Sequence, residues 1–129
     1  MRRLGTGLIA TTLISGVVAA GAAGHTVRYD SVVTAKFDKQ AKIFDGAVES
    51  AKRGCAKNRS VTLRLRAADG SSTVVGTDVT DALGAWVVTS TSEPTPGTYF
   101  AEATKKVVRK NKNHRHVCAP AVSKDIKVK

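Results

Sequence analysis

The sequence predicts an all-β protein, a single antiparallel β-sandwich of about seven strands that follows an N-terminal signal peptide. From Ser31 onward, apolar residues recur mostly at every second position, which is the period of a half-buried strand. Clusters of Gly, Pro, Asn and Asp separate these runs, as turns separate strands. The length of 129 residues suits one small domain.

The first segment has the layout of a secretory signal peptide. Arg2 and Arg3 precede an uncharged apolar stretch at residues 4–19, and residues 20–22 (Ala-Gly-Ala) fit the A-x-A cleavage pattern. An uncleaved anchor is the alternative, but Gly, Ser and Thr dilute the stretch, and a permanent span needs roughly 20 apolar residues. We therefore expect cleavage of residues 1–22, no permanent membrane span afterwards, and a secreted protein with its sandwich domain at residues 31–129.

Each strand is predicted from alternation or from a β-rich run between turns. The clearest is residues 61–66, where Val61, Leu63 and Leu65 share one face while polar residues alternate with them. The other predicted strands are residues 32–37, 43–49, 73–80, 85–89, 98–103 and 122–128. Residues 38–42 have a helix-like composition but are too few to hold a helix without tertiary support.

Three turns are predicted between these strands. Asp69-Gly70 and residues 81–84 carry turn-forming residues, and Gly84 can take the positive φ that such a turn needs. Residues 94–97 (Pro-Thr-Pro-Gly) interrupt the sheet. The turn at residues 81–84 reverses the chain between two apolar-alternating strands, which is typical of antiparallel pairing.

The two cysteines, Cys55 and Cys118, both lie in the part that is predicted to be secreted. In an oxidising compartment such a pair indicates a disulfide, and only one intramolecular pairing is possible. The chain-entropy model gives a crosslink of this span about 4 kcal/mol. The alternative is a pair of free thiols or metal ligands.

Residues 80–88 (TDALGAWVV) and 96–99 (PGTY) resemble the T-D-x-x-G-x-aromatic-x-V … P-G-x-Y signature of carboxypeptidase regulatory-like domains. Residues 44–48 and 61–63 are similar to the first two core strands of that family, which belongs with transthyretin-like and collagen-adhesin B-type domains. The resemblance implies a prealbumin-like (Ig-like) β-sandwich in a small secreted bacterial protein, with spacing, stabilising, adhesive or glycan-contacting roles. The last strand lacks the Asn of the adhesin isopeptide crosslink, and the hydrolase tail (Tyr-Arg-Gly-Ser) is absent, so neither property carries over.

The charge predicts an anionic partner. The formal net charge is +11, and residues 105–116 hold two His and no acid beside the cations. Because Asn111 and Asn113 favour a turn, this segment is expected to be a hairpin tip or an exposed loop. The candidate polyanion-binding residues are Lys105, Lys106, Arg109, Lys110, Lys112 and Arg115, with His114 and His116 as pH-sensitive helpers. An anionic wall polymer, an acidic glycan or a protein partner is expected; alternatively, the charge serves solubility alone.

No catalytic or metal site and no cofactor is predicted. No spacing brings an acid or a nucleophile to His114, and the cations around His114 and His116 oppose a divalent ion. Nucleic acid is disfavoured because no aromatic residues interleave with the basic ones. The sequence therefore predicts a secreted, monomeric, non-catalytic structural or interaction module. The alternative is a neutral carbohydrate-binding module that uses exposed Trp86 or Tyr99, although core packing is the expected role of both rings.

Overall fold

The computed structural model describes residues 24–129; the predicted signal peptide, residues 1–22, lies outside the described residues. The described residues are mostly β-strand and contain one four-residue helix, α1 (Arg53–Ala56), which confirms the all-β expectation. The strands are β1 (His25–Tyr29), β2 (Val32–Val33), β3 (Lys36–Asp38), β4 (Ile43–Glu49), β5 (Ser60–Arg66), β6 (Ser72–Val79), β7 (Ala85–Thr89), β8 (Gly97–Ala103), β9 (Lys106–Lys110), β10 (His114–Cys118), β11 (Ala121–Val122) and β12 (Ile126–Val128).

The strands form three sheets. In the five-stranded sheet, β8 pairs with β5 on one side and with both β11 and β12 on the other, and β6 extends the sheet beyond β5. In the four-stranded sheet, β4 pairs with β2 and β3 on one side and with β7 on the other. The third sheet has the order β1-β10-β9, and β1 runs parallel to β10. Every other pairing is antiparallel.

The core packs side chains of the five-stranded sheet against those of the four-stranded sheet. Val61 and Leu63 of β5 are fully buried, and Phe44 and Val48 of β4 are almost so. These are the alternate positions that the sequence assigns to the inner face, because successive side chains of a strand point to opposite sides. Burying each such side chain contributes about 1.5–3 kcal/mol.

The predicted turn at residues 81–84 is confirmed. The Asp81 carboxylate accepts hydrogen bonds from the backbone N–H groups of Leu83 (2.8 Å) and Ala85 (3.0 Å). Gly84 has a φ of +85°, and a Cβ at this position would collide with the Val48 carbonyl oxygen. The turn therefore requires glycine for both its conformation and its close approach to β4.

Several predicted strands are divided in the structure, and the described residues form twelve strands rather than about seven. Residues 32–37 split into β2 and β3 because the Thr34 carbonyl instead accepts a hydrogen bond from the Trp86 indole (3.1 Å). Residues 122–128 split around Ser123, whose hydroxyl accepts a hydrogen bond from the backbone N–H of Ala101 (2.9 Å). Strand β1 precedes residue 31, the predicted start of the domain.

Candidate polyanion-binding surface

The basic segment forms a β-hairpin. Strands β9 and β10 pair antiparallel, and the turn at residues 111–113 lies at the tip, as the sequence predicts. The Asn111 side-chain oxygen closes this turn by accepting hydrogen bonds from the backbone N–H groups of Asn113 (3.0 Å) and His114 (2.7 Å). Asparagine suits this position because its short side chain satisfies the backbone donors two and three residues later.

We define the basic sheet as β1, β9 and β10 together with Lys105 and the tip at residues 111–113. It contains seven Lys or Arg residues and no Asp or Glu, whereas the other described residues hold twelve Lys or Arg against ten Asp or Glu. None of the ion pairs formed among residues 24–129 includes a member of the basic sheet. Almost all of the net charge of the described residues is therefore concentrated, without carboxylate partners, on one sheet.

The register places like charges directly opposite each other near the tip. Lys110 lies opposite Arg115, with Lys112 exposed in the turn between the strands. Opposed like charges destabilise a pair of strands. An anion that binds both members of such a pair would relieve this repulsion, so the tip half of the hairpin is electrostatically suited to a negatively charged ligand.

The remaining two predicted contact residues lie at the other end of the hairpin. Lys105 is exposed ahead of β9, away from the tip. Lys106 is directed toward α1, where its ammonium group donates hydrogen bonds to the carbonyl oxygens of Gly54 (3.1 Å) and Lys57 (2.9 Å). Burial, followed by the charges of Arg59 and Lys57, lowers the pKa of Lys106. Lys106 therefore connects the hairpin to α1 through these hydrogen bonds and does not extend from the surface.

Two further cations, which the sequence does not indicate as contact residues, lie beside the basic hairpin. Arg28 is exposed on β1 and lies opposite Val117 of β10. The Lys52 ammonium lies 5.7 Å from the centroid of the Tyr29 ring, which brings a charge from the turn before α1 to the same sheet. No local signal identifies either residue, because their proximity to the hairpin depends on the parallel pairing of β1 with β10.

The basic sheet is fastened to the rest of the protein by a disulfide. Cys55 of α1 and Cys118 of β10 are bonded, as predicted, with their Cα atoms 5.4 Å apart and a sequence separation of 63. Both cysteines are fully buried. The crosslink therefore holds the base of β10 against α1.

A buried arginine completes this attachment. The Arg59 guanidinium is 0% exposed and donates four hydrogen bonds. Its acceptors are the carbonyl oxygens of Thr104 (2.7 Å), Cys55 (2.9 Å) and Ala119 (2.6 Å) and the hydroxyl of Ser31 (3.0 Å). Burial lowers the pKa of Arg59. One side chain thus joins α1 to the connections on either side of the basic hairpin, which gives the candidate surface a rigid base.

The two aromatic residues of the carbohydrate alternative are buried. Trp86 and Tyr99 are each 2% exposed and belong to the core, where the Tyr99 ring packs 4.8 Å from that of Phe44. The Tyr99 hydroxyl donates a hydrogen bond to the Thr95 carbonyl oxygen at 2.6 Å. A sugar-stacking platform needs an exposed ring face. Neither ring has an exposed face, so neither Trp86 nor Tyr99 can stack on a sugar as the carbohydrate alternative requires.

Comparison with known proteins identifies no relative: no protein-family model, curated protein or solved structure matches the chain. Within residues 24–129, no helix is long and apolar enough to cross a membrane. The same residues bring together no group of three His, Cys, Asp or Glu side chains that could hold a metal ion. The basic sheet is the candidate site because its cations are concentrated there without carboxylate partners among the described residues.

Proposed function

We propose that the protein is a secreted, non-catalytic interaction module whose basic sheet binds an anionic polymer of the cell surface, such as a wall polymer or an acidic glycan. The observation that carries this proposal is the segregation of charge: seven cations and no acid lie on one sheet of the described structure, and none of them has a carboxylate partner there. Clustered cations of this kind create a field that attracts polyanions.

The proposed scaffold is a prealbumin-like β-sandwich of the carboxypeptidase regulatory-like or transthyretin-like kind. The shared core of the five-stranded and four-stranded sheets supports it, as do the buried Trp86 and Tyr99 of the signature. The disulfide supports export, because such bonds persist in oxidising compartments. In this proposal the two larger sheets form the scaffold, and the basic sheet is the attached binding element.

The tip half of the hairpin is the proposed contact surface. Arg109, Lys110, Lys112 and Arg115 are exposed there. Each contact with a charged group of a dense polyanion releases counterions. It makes the slope of log affinity against log salt concentration more negative by about 0.9, so four contacts predict a slope of roughly −3 to −4. Binding should therefore weaken steeply with salt.

The test measures retention of the oxidised mature protein on heparin, polygalacturonate and uncharged dextran at several salt concentrations. We expect retention on the two anionic polymers only. Replacing both Lys110 and Arg115 with Ala should reduce the magnitude of this slope by about 2, because two contacts are lost. The matched control replaces Lys39 and Lys124, which are exposed, form no ion pair among the described residues and lie outside the basic sheet.

The control separates a defined surface from net charge alone. Both double variants lose the same two charges, so an equal fall in retention would show that overall charge, not the basic sheet, is responsible. Retention on dextran that is insensitive to salt would contradict the proposal, since an uncharged polymer releases no counterions. Retention on none of the three polymers would also refute it and would leave a spacer or a protein-binding module.

A further inference from the structure

On one face of the basic sheet, His116 lies against Tyr29. The His116 ring packs edge-on against the Tyr29 ring, with 5.6 Å between centroids. Lys52 lies over the same Tyr29 ring. Arg109 lies directly opposite His116 on β9, and directly opposed residues share a face. Three nitrogen-bearing side chains therefore converge from the turn before α1, from β9 and from β10.

The face continues toward the hairpin tip. His114 is two residues before His116 on the same strand, so both side chains lie on the same side of the sheet. The His25 and His114 rings stack with their centroids 6.1 Å apart. We define the histidine face as His25, Tyr29, Lys52, Arg109, His114 and His116. The other charged residues on these strands are Arg28, Lys106, Lys110 and Arg115, and none of the three strands contributes an acid. Asp30 and Glu49, outside these strands, line a cavity together with Tyr29.

His116 is placed to respond to a bound anion. Its Nδ1 is enclosed and has no hydrogen-bond partner within residues 24–129. Burial first, and then the charges of Lys52, Arg109 and His114, lower the pKa of His116. Burial and the neighbouring positive charges both disfavour the protonated ring. An anion among them would offset that repulsion and favour the protonated ring.

We propose that the histidine face seats a phosphate or sulfate ester group of the polymer, and that its binding is coupled to proton uptake by His116, so that affinity rises as the pH falls. The inference rests on the proposed polyanion-binding function and specifies its ligand chemistry. Three donors that converge from three elements match an anion with three free oxygens better than a carboxylate with two. Linkage makes the coupling reciprocal: if the anion favours the protonated ring, protonation strengthens anion binding by the same factor.

The first test uses inorganic sulfate, whose charge is constant across the range in which histidine titrates. NMR of the oxidised mature protein follows the His116 ring protons during pH titration with and without sulfate. We expect saturating sulfate to raise the pKa of His116 by about 1. This shift means that the protein with a protonated His116 binds sulfate about tenfold more tightly than the protein with a neutral His116. A comparison of the affinities for inorganic phosphate and sulfate at pH 8 distinguishes the two kinds of ester. Tighter binding of phosphate favours a phosphate ester, and tighter binding of sulfate favours a sulfate ester.

A variant of Lys52, which neighbours His116, distinguishes a role in anion binding from a purely structural role. Lys52→Gln should weaken sulfate binding several-fold and should raise the pKa of His116 in the absence of ligand, because a repelling charge is removed. Lys39→Gln, outside the face, should change neither quantity. His116→Gln should abolish the pH dependence of heparin retention.

The outcomes distinguish this inference from the proposed function. Heparin retention that is independent of pH, with no effect of sulfate or phosphate on His116, would overturn the proton-coupled seat and leave polyanion binding intact. A shift of the His116 pKa by sulfate without heparin retention would support the seat and refute binding of the polymer. If neither heparin nor the small anions bind, both proposals fail.

Discussion

Replacement of Arg59 with Lys tests whether this buried side chain fastens the basic sheet to the body of the protein. Arg59 is fully buried, and its guanidinium reaches four acceptors that belong to residues 31, 55, 104 and 119. A lysine ammonium is a single point with three donors and cannot span the same set of acceptors. The substitution keeps the positive charge and removes the planar fork that distributes it.

The magnitude follows from the lost hydrogen bonds. A hydrogen bond from a charged donor contributes about 1.5–3 kcal/mol, and a buried carbonyl left without a donor costs about 1–3 kcal/mol. If lysine satisfies one or two of the four acceptors of Arg59, the loss in free energy of unfolding is about 3–5 kcal/mol. Such a loss lies in the upper range for a single substitution and reflects a broken buried network.

The assay is urea unfolding of the oxidised protein, followed by the fluorescence of Trp86, the only tryptophan. For a slope of about 1–3 kcal/mol per molar urea, the midpoint of the Arg59→Lys variant should fall by roughly 2 M. The control, Arg53→Lys, makes the same exchange at an exposed position of α1 and should change stability by less than about 0.5 kcal/mol. A loss of less than about 1 kcal/mol for Arg59→Lys would refute the fastening role.

Three further predictions follow from individual contacts. Trp86→Phe keeps a core ring but removes the indole donor from Thr34, so calorimetry should show a loss of about 1–2 kcal/mol. Lys106→Ala removes two hydrogen bonds to backbone carbonyls and should lower stability by about 1–3 kcal/mol, while the salt slope on heparin changes little; a fall of that slope by about 1 would instead make Lys106 a contact residue. Because the folded-state pKa of His116 is lowered, the unfolded chain binds more protons, so stability should fall as the pH drops through 6.5, and His116→Gln should reduce that fall.

The sequence predicts those parts of the fold that depend on neighbours in the chain. Alternation identifies the buried faces of β4 and β5, because the side-chain period of a strand is a local property. Asp81 and Gly84 identify their turn because one supplies a nearby acceptor and the other tolerates a positive φ. The disulfide is predictable because two cysteines allow a single intramolecular pair.

The tertiary structure decides which charges are available to a ligand. The composition of residues 105–116 marks six cations as equivalent, whereas the structure turns Lys106 toward α1 and leaves Lys110 and Arg115 opposed near the tip. The sequence also does not predict the burial of Arg59, because a charged residue is normally exposed and nothing beside it in the chain indicates burial. Its acceptors are carbonyl and hydroxyl groups far apart in sequence. Backbone carbonyls occur at every residue, so only the folded chain determines which of them surround a cation.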